Sequence, residues 1–120
     1  MNLTAFLRSF SFALRGIKVA IQTERNLRIH ILATVVVVIL GFVLEVSKLE
    51  WVSLILVIGL VIATEMINTS IEGLADLYTR DPHPEIKKIK DVSAGTVLFT
   101  AIIAVVVGII IFLPKILALF

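Results

Sequence analysis

Four polar residues share one face of an apolar segment in the second half of the chain. Glu65, Asn68, Glu72 and Asp76 follow one another at spacings of three, four and four. On an α-helix, at about 100° per residue, they form a single stripe roughly 80° wide. Acidic side chains are costly inside a bilayer and usually mark a functional site there. We call these four residues the acidic stripe and treat it as the candidate site.

A solvated helix end would explain only part of the acidic stripe. Trp51 is a plausible interfacial anchor for this segment. At about 1.5 Å per residue, Glu65 lies roughly 21 Å beyond Trp51 and Glu72 about 31 Å beyond it. Asp76 is then in or near water, where an acid needs no functional reason. Glu65 and Asn68 remain submerged, and no basic residue lies on the same span to neutralise them.

A further acid, Glu24, lies just before the first apolar segment. It can pair with Arg28 one turn later, or it can join the acidic stripe in an oxygen site for a hard cation. Magnesium prefers carboxylates combined with phosphate and water. The chain has no glycine-rich phosphate loop, so phosphate would be held by metal and by basic residues. Lys90 and Asp91 are the nearest candidates, although such a pair also occurs as a simple charge pair at a helix start.

The bulk composition predicts an all-α integral membrane protein with one domain. Of the 120 residues, 59% are hydrophobic, and the mean hydropathy is +1.10. We predict membrane helices at about 27–46, 51–77 and 91–114, the last two separated by a proline-containing loop from Tyr78 to Lys90. The absence of cysteine excludes disulfides, thiolate metal sites and a cysteine nucleophile.

Residues 1–24 are predicted to form an amphipathic helix in the membrane interface, with a helix packed on the bundle as the alternative. Its apolar stripe consists of Leu3, Leu7, Phe10, Leu14, Ile17 and Ile21. Arg8, Arg15 and Lys18 lie beside that stripe. Because this segment is basic and lacks a compact apolar region with a cleavage site, we expect no signal peptide.

The distribution of Lys and Arg predicts the orientation. Basic residues concentrate before the first span and between the second and third spans, whereas the first loop has only Lys48 and the C-terminal end only Lys115. By the positive-inside rule, the N-terminus and the second loop are cytoplasmic.

The motif Glu65-Met-Ile-Asn68-Thr-Ser-Ile-Glu72-Gly-Leu-Ala-Asp76 resembles the signature of the prokaryotic diacylglycerol kinase family, which are small membrane lipid kinases. The resemblance covers nearly the whole chain. Ala75 departs from it, because the family usually has Val there. The stretch from Glu24 to His30 is similar to the Gram-positive branch, whose members resemble undecaprenol kinases.

The resemblance implies a homotrimer in the bacterial cell membrane, with active sites shared between subunits. It implies that Glu65 is the general base at the lipid hydroxyl, and that Glu24 and Glu72 hold Mg²⁺ with the phosphates of ATP. The resemblance also implies roles for six further residues. The nucleotide is positioned by Asn68, Asp76, Lys90 and Asp91. Lipid or nucleotide is contacted by Arg8 and Arg15.

The resulting hypothesis is a kinase that phosphorylates undecaprenol, with diacylglycerol as the alternative acceptor and no nucleic-acid partner. A small proton-coupled transporter and a non-catalytic membrane subunit are alternatives of other classes. Transporters of that size have four spans and a key acid deep in the first span, unlike this chain. His30 is predicted to be structural and His83 to be a loop residue. Gly95 and Gly108 suit close helix packing.

Overall fold

The computed structural model describes residues 2–120, which form four α-helices and, within that range, no strand. α1 spans Leu3–Thr23, α2 spans Arg25–Val43, α3 spans Lys48–Tyr78 and α4 spans Pro84–Leu117. The last three are long and apolar enough to cross a membrane. The predicted class, an all-α membrane protein with three membrane helices, is therefore confirmed.

Glu24 separates α1 from α2. Its backbone is extended (φ −106°, ψ 110°), so the two helices are distinct elements. Arg28 Nη1 donates to the carbonyl oxygens of Ile21 and Gln22, at 3.0 and 2.8 Å. Cations are favourable at the carbonyl end of a helix, where backbone oxygens lack partners. Arg28 thus stabilises the end of α1, and within residues 2–120 it forms no ion pair with Glu24.

The surface helix α1 leaves its apolar stripe exposed. Leu3, Leu7 and Phe10 are 70%, 57% and 60% exposed, and Ala20 is the one residue of α1 that is buried. Asn2 caps the helix by accepting a hydrogen bond from the Thr4 N–H at 3.0 Å. Only the C-terminal part of α1, around Ala20, lies beside α3. The apolar stripe is therefore free to contact lipid along most of its length.

The loop between α3 and α4 is shorter than predicted. Only residues 79–83 lie outside the helices, and α4 begins at Pro84 instead of near Asp91. The predicted start was wrong because proline is compatible with the first turn of a helix, where its missing N–H has no intrahelical partner. His83 Nδ1 also caps this turn by accepting from the Ile86 N–H at 3.4 Å. α2 likewise ends at Val43, before the predicted residue 46.

α3 and α4 form a long antiparallel pair. With 31 and 34 residues, they measure about 46 and 51 Å at 1.5 Å per residue. Both therefore exceed a hydrocarbon core of about 30 Å. Polar side chains link the two helices at three levels. These are Asp76 with Lys90 near the connecting loop, Thr64 with Thr100 in the middle, and Glu50 with Lys115 at the far end.

The far end of the bundle contains the main apolar cluster. Val46, Leu54, Ile111 and Phe112 are buried there, with partly buried side chains of α2 around them. Close by, the Trp51 ring packs directly on Gly41 of α2. A Cβ atom at position 41 would lie 2.5 Å from Trp51 Cη2, so only glycine permits this approach.

We predict that Gly41→Ala lowers the thermal unfolding midpoint of the protein in detergent micelles. The added methyl group must displace the Trp51 ring, and overpacking of this kind costs about 1–3 kcal/mol. Gly59→Ala is the matched control, because nothing lies within 4 Å of a Cβ atom at that position. Equal midpoints for the two variants would show that the Trp51 contact does not constrain the fold.

Candidate functional site

Glu65 is buried in α3 and is only 2% exposed. It lies on the face of α3 turned toward α2, where His30 Nε2 is 3.9 Å from Glu65 Oε2. A buried carboxylate is costly unless it is paired or hydrogen-bonded. Its retention in an apolar helix therefore points to a role other than stabilising the fold.

The fold brings two more carboxylates toward Glu65. Glu72 follows two turns later on the same face of α3, and Glu24 approaches from the joint between α1 and α2. The charges of both act on Glu65. Both side chains are half-buried, so a ligand can reach them. The structure thus places three acids, predicted from separate parts of the sequence, around one location.

Two of these acids are of the ligand type that a magnesium ion takes. Mg²⁺ commonly takes one or two protein carboxylates and completes its octahedral shell with phosphate oxygens and water. Glu24 and Glu72 are carboxylates that are half-buried and therefore accessible to a ligand. Within residues 2–120 no three His, Asp or Glu side chains form a metal cage. A magnesium ion at this location would therefore need oxygens from a bound phosphate.

Asn68 is also buried, at 7% exposed, and its Oδ1 atom has no hydrogen-bond partner in the described chain. It lines a groove of about 490 Å³ between α3 and α4, together with Thr64 and Ser93. An unsatisfied buried acceptor costs about 1–3 kcal/mol. The burial of Asn68, like that of Glu65, therefore costs folding free energy, and the stability of the fold does not account for it.

Lys90 and Asp91 do not act as a unit. Lys90 donates a hydrogen bond to Asp76 across the α3–α4 pair, and both side chains are about one-third exposed. Asp91 instead accepts from Lys87 one turn earlier on α4, and this pair is largely exposed. Beside the connecting loop, a groove of about 640 Å³ is lined by basic and acidic side chains, namely Arg80, Lys87, Lys90, Asp81 and Asp91. Both lysines are paired with carboxylates.

The two arginines predicted to contact substrate lie apart from the acids. Arg8 and Arg15 are exposed on α1, and the Arg15 guanidinium lies 5.8 Å from the centroid of the Phe12 ring. Within residues 2–120 neither guanidinium is within 4.0 Å of a carboxylate. A single chain therefore does not bring them to the acidic stripe.

His30 was predicted to be structural, and the structure places it beside Glu65. In α2, His30 and Thr34 are the polar residues of an otherwise apolar segment from Ile29 to Gly41. Their spacing of four places both on one face of the helix. That face is the one turned toward Glu65.

An apolar cleft of about 360 Å³ continues from Glu65 along the bundle. Its floor is the same face of α3, since Val61 precedes Glu65 by one turn and Ile58 lies further along. α2 and α4 form its walls. His30 lies at one end of the cleft and Phe112 at the other. Four of the lining residues are small, namely Ala33, Ala101, Ala104 and Gly108.

Comparison with known proteins agrees with this arrangement. The sequence profile of the family described as prokaryotic diacylglycerol kinase matches residues 11–112. The chain belongs to this family. It is 43% identical to the undecaprenol kinase of Bacillus subtilis over 114 residues. The aligned region covers 95% of this chain and 93% of the relative.

Two diacylglycerol kinases are also similar to this chain. The protein of Synechocystis sp. is 39% identical over 94% of this chain, which spans 65% of that relative's length. The protein of Pseudomonas aeruginosa is 30% identical over 78% of this chain and 76% of its own length. The predictions of the family and of a lipid kinase are confirmed, and the transporter alternative finds no support.

Proposed function

We propose that this protein transfers the γ-phosphoryl group of ATP, with Mg²⁺, to the terminal hydroxyl of a membrane lipid, and that the lipid is undecaprenol. The observation that carries the proposal is the position of Glu65. Its buried carboxylate lies where an apolar cleft meets two accessible acids. A hydrocarbon chain can reach it from one side, and a metal-bound phosphate can reach it from the other.

The cleft favours an acceptor with one hydrocarbon chain. Its volume of about 360 Å³ is small, and its lining is apolar apart from His30 and Thr34. A linear polyprenol lying along the floor from Phe112 to Val61 would end with its hydroxyl beside Glu65 and His30. Diacylglycerol carries two acyl chains, and the second would need space outside the cleft. The similarity to an undecaprenol kinase supports the same choice.

In the proposed reaction Glu65 acts as the general base. The hydroxyl proton moves to Glu65 Oε2 while a lone pair of the hydroxyl oxygen forms a bond to the γ-phosphorus. The bond from the γ-phosphorus to the β–γ bridging oxygen breaks, and ADP leaves with that electron pair. Burial of Glu65 excludes water, which would otherwise compete with the lipid as the acceptor.

Glu24 and Glu72 would hold the magnesium ion. When bound, the ion neutralises charge on the phosphates and orients them for transfer. Asn68, Asp76 and Lys90 would position the nucleotide, and the Asp76–Lys90 pair keeps the lysine ammonium near the acidic stripe. Lys90 also lines the groove beside the connecting loop, where a ligand can reach it.

We further propose that the protein is a homotrimer in the bacterial cell membrane, with a cytoplasmic N-terminus. The charge distribution supports this orientation, since the basic N-terminal segment and loop lie at the end of the bundle that holds the accessible acids. Arg8, Arg15 and Asp91 are exposed on their own chain. In a trimer they would contribute to the site of a neighbouring subunit.

Under this proposal, the first prediction concerns the acceptor. In mixed micelles, radiolabel from γ-labelled ATP should pass to undecaprenol faster than to diacylglycerol when each lipid is offered separately. The reason is the small volume of the apolar cleft beside Glu65. Transfer to neither lipid would refute the kinase proposal. Preference for diacylglycerol would refute only the choice of undecaprenol.

The second prediction concerns magnesium. Glu24→Gln and Glu72→Gln should each raise the Mg²⁺ concentration for half-maximal activity by roughly tenfold, and the double variant should lose activity, because each removes one carboxylate ligand. Activity is measured across a magnesium titration. Glu45→Gln, an exposed glutamate in the turn between α2 and α3 at the opposite end of the bundle, is the control. A double variant with a normal magnesium dependence would favour a non-catalytic role for these acids.

A further inference from the structure

The side chains of His30 and Glu65 face each other, but their nearest nitrogen and oxygen atoms are further apart than a hydrogen bond. The separation of 3.9 Å between Nε2 and Oε2 is too long for a direct hydrogen bond, for which about 2.7–3.2 Å is usual. One oxygen atom set about 2 Å to the side of the line that joins them lies about 2.8 Å from both. The two side chains can therefore both contact a single hydroxyl group.

The position of the gap fits a lipid hydroxyl. His30 is part of the lining at the end of the apolar cleft next to Glu65, and its side chain is 25% exposed. The other polar residue of the α2 wall, Thr34, already donates its hydroxyl proton to the His30 carbonyl oxygen at 2.8 Å. The imidazole is therefore the donor that α2 offers to a group in the cleft.

We propose that His30 and Glu65 together cradle the acceptor hydroxyl, an inference that rests on the proposed lipid kinase function. His30 Nε2–H donates a hydrogen bond to the hydroxyl oxygen, and Glu65 Oε2 accepts the hydroxyl proton. Two contacts fix the direction of the remaining lone pair, which must point at the γ-phosphorus. The donated bond also stabilises negative charge on the oxygen as its proton leaves. His30 is then a residue that binds and orients the substrate.

The test compares two substitutions of similar size. His30→Leu removes the donor and should lower kcat for undecaprenol phosphorylation roughly 10- to 100-fold. His30→Gln should keep kcat within a few-fold of the unmodified protein, because its amide nitrogen reaches the position of Nε2. The KM for ATP should be unchanged in both variants, since His30 lies on the lipid side of Glu65. Thermal midpoint and elution volume in detergent verify that each variant is folded.

Three outcomes would refute the proposal that His30 and Glu65 together bind the acceptor hydroxyl. They are an unchanged kcat for His30→Leu, equal losses for His30→Leu and His30→Gln, or a rise in the KM for ATP as large as the loss of kcat. If His30→Leu fails to fold, His30→Met replaces it with the same expectation. Failure of the unmodified protein to phosphorylate either lipid would refute the kinase function itself, which separates that result from a failure of the cradle.

Discussion

The burial of one carboxylate in an apolar helix is the constraint on which the rest of the structure depends. Glu65 would destabilise α3 in lipid if no other element compensated for it. α2 provides an imidazole beside it, and the same face of α3 emerges toward Glu72 within two turns. A reaction that needs both a base shielded from water and a hydrated phosphate therefore requires the place where the acidic stripe passes from the apolar region to the polar one. Glu65 lies on the apolar side of that place and Glu72 on the polar side.

The α3–α4 pair keeps this location fixed. Apolar helices in lipid gain little from hydrophobic contact, so packing and polar side chains set their register. Here Asp76–Lys90, Thr64–Thr100 and Glu50–Lys115 connect the two helices near both ends and in the middle. α4 packs on α3 more extensively than α2 does. The cleft beside Glu65 lies between α2 and α4, with α3 as its floor.

Much of the fold was predictable, because a bilayer imposes a minimum length on apolar helices. The acidic stripe was predictable for a similar reason, since helical periodicity places its four members on one face. The start of α4 was not predictable, because a proline such as Pro84 is compatible both with the end of one helix and with the first turn of the next. The distinction depends on the cap that His83 forms.

The partners of polar residues were the least predictable part of the site. Lys90 and Asp91 are neighbours in sequence, but adjacent residues on a helix point in different directions. Each consequently binds another residue. The approach of His30 to Glu65 depends on the rotation of α2 about its own axis, and the run of aliphatic residues after Thr34 contains no pattern that specifies it.

The most direct test of the central claim is the rate of lipid phosphorylation by Glu65→Gln. The amide has the shape of the carboxyl group but cannot accept the hydroxyl proton, so we expect a loss of at least roughly 100-fold in kcat. The thermal midpoint and the KM for ATP should not change. Glu45→Gln, an exposed glutamate in the turn between α2 and α3, should retain full activity. Normal turnover by Glu65→Gln would contradict the assignment of Glu65 as the base.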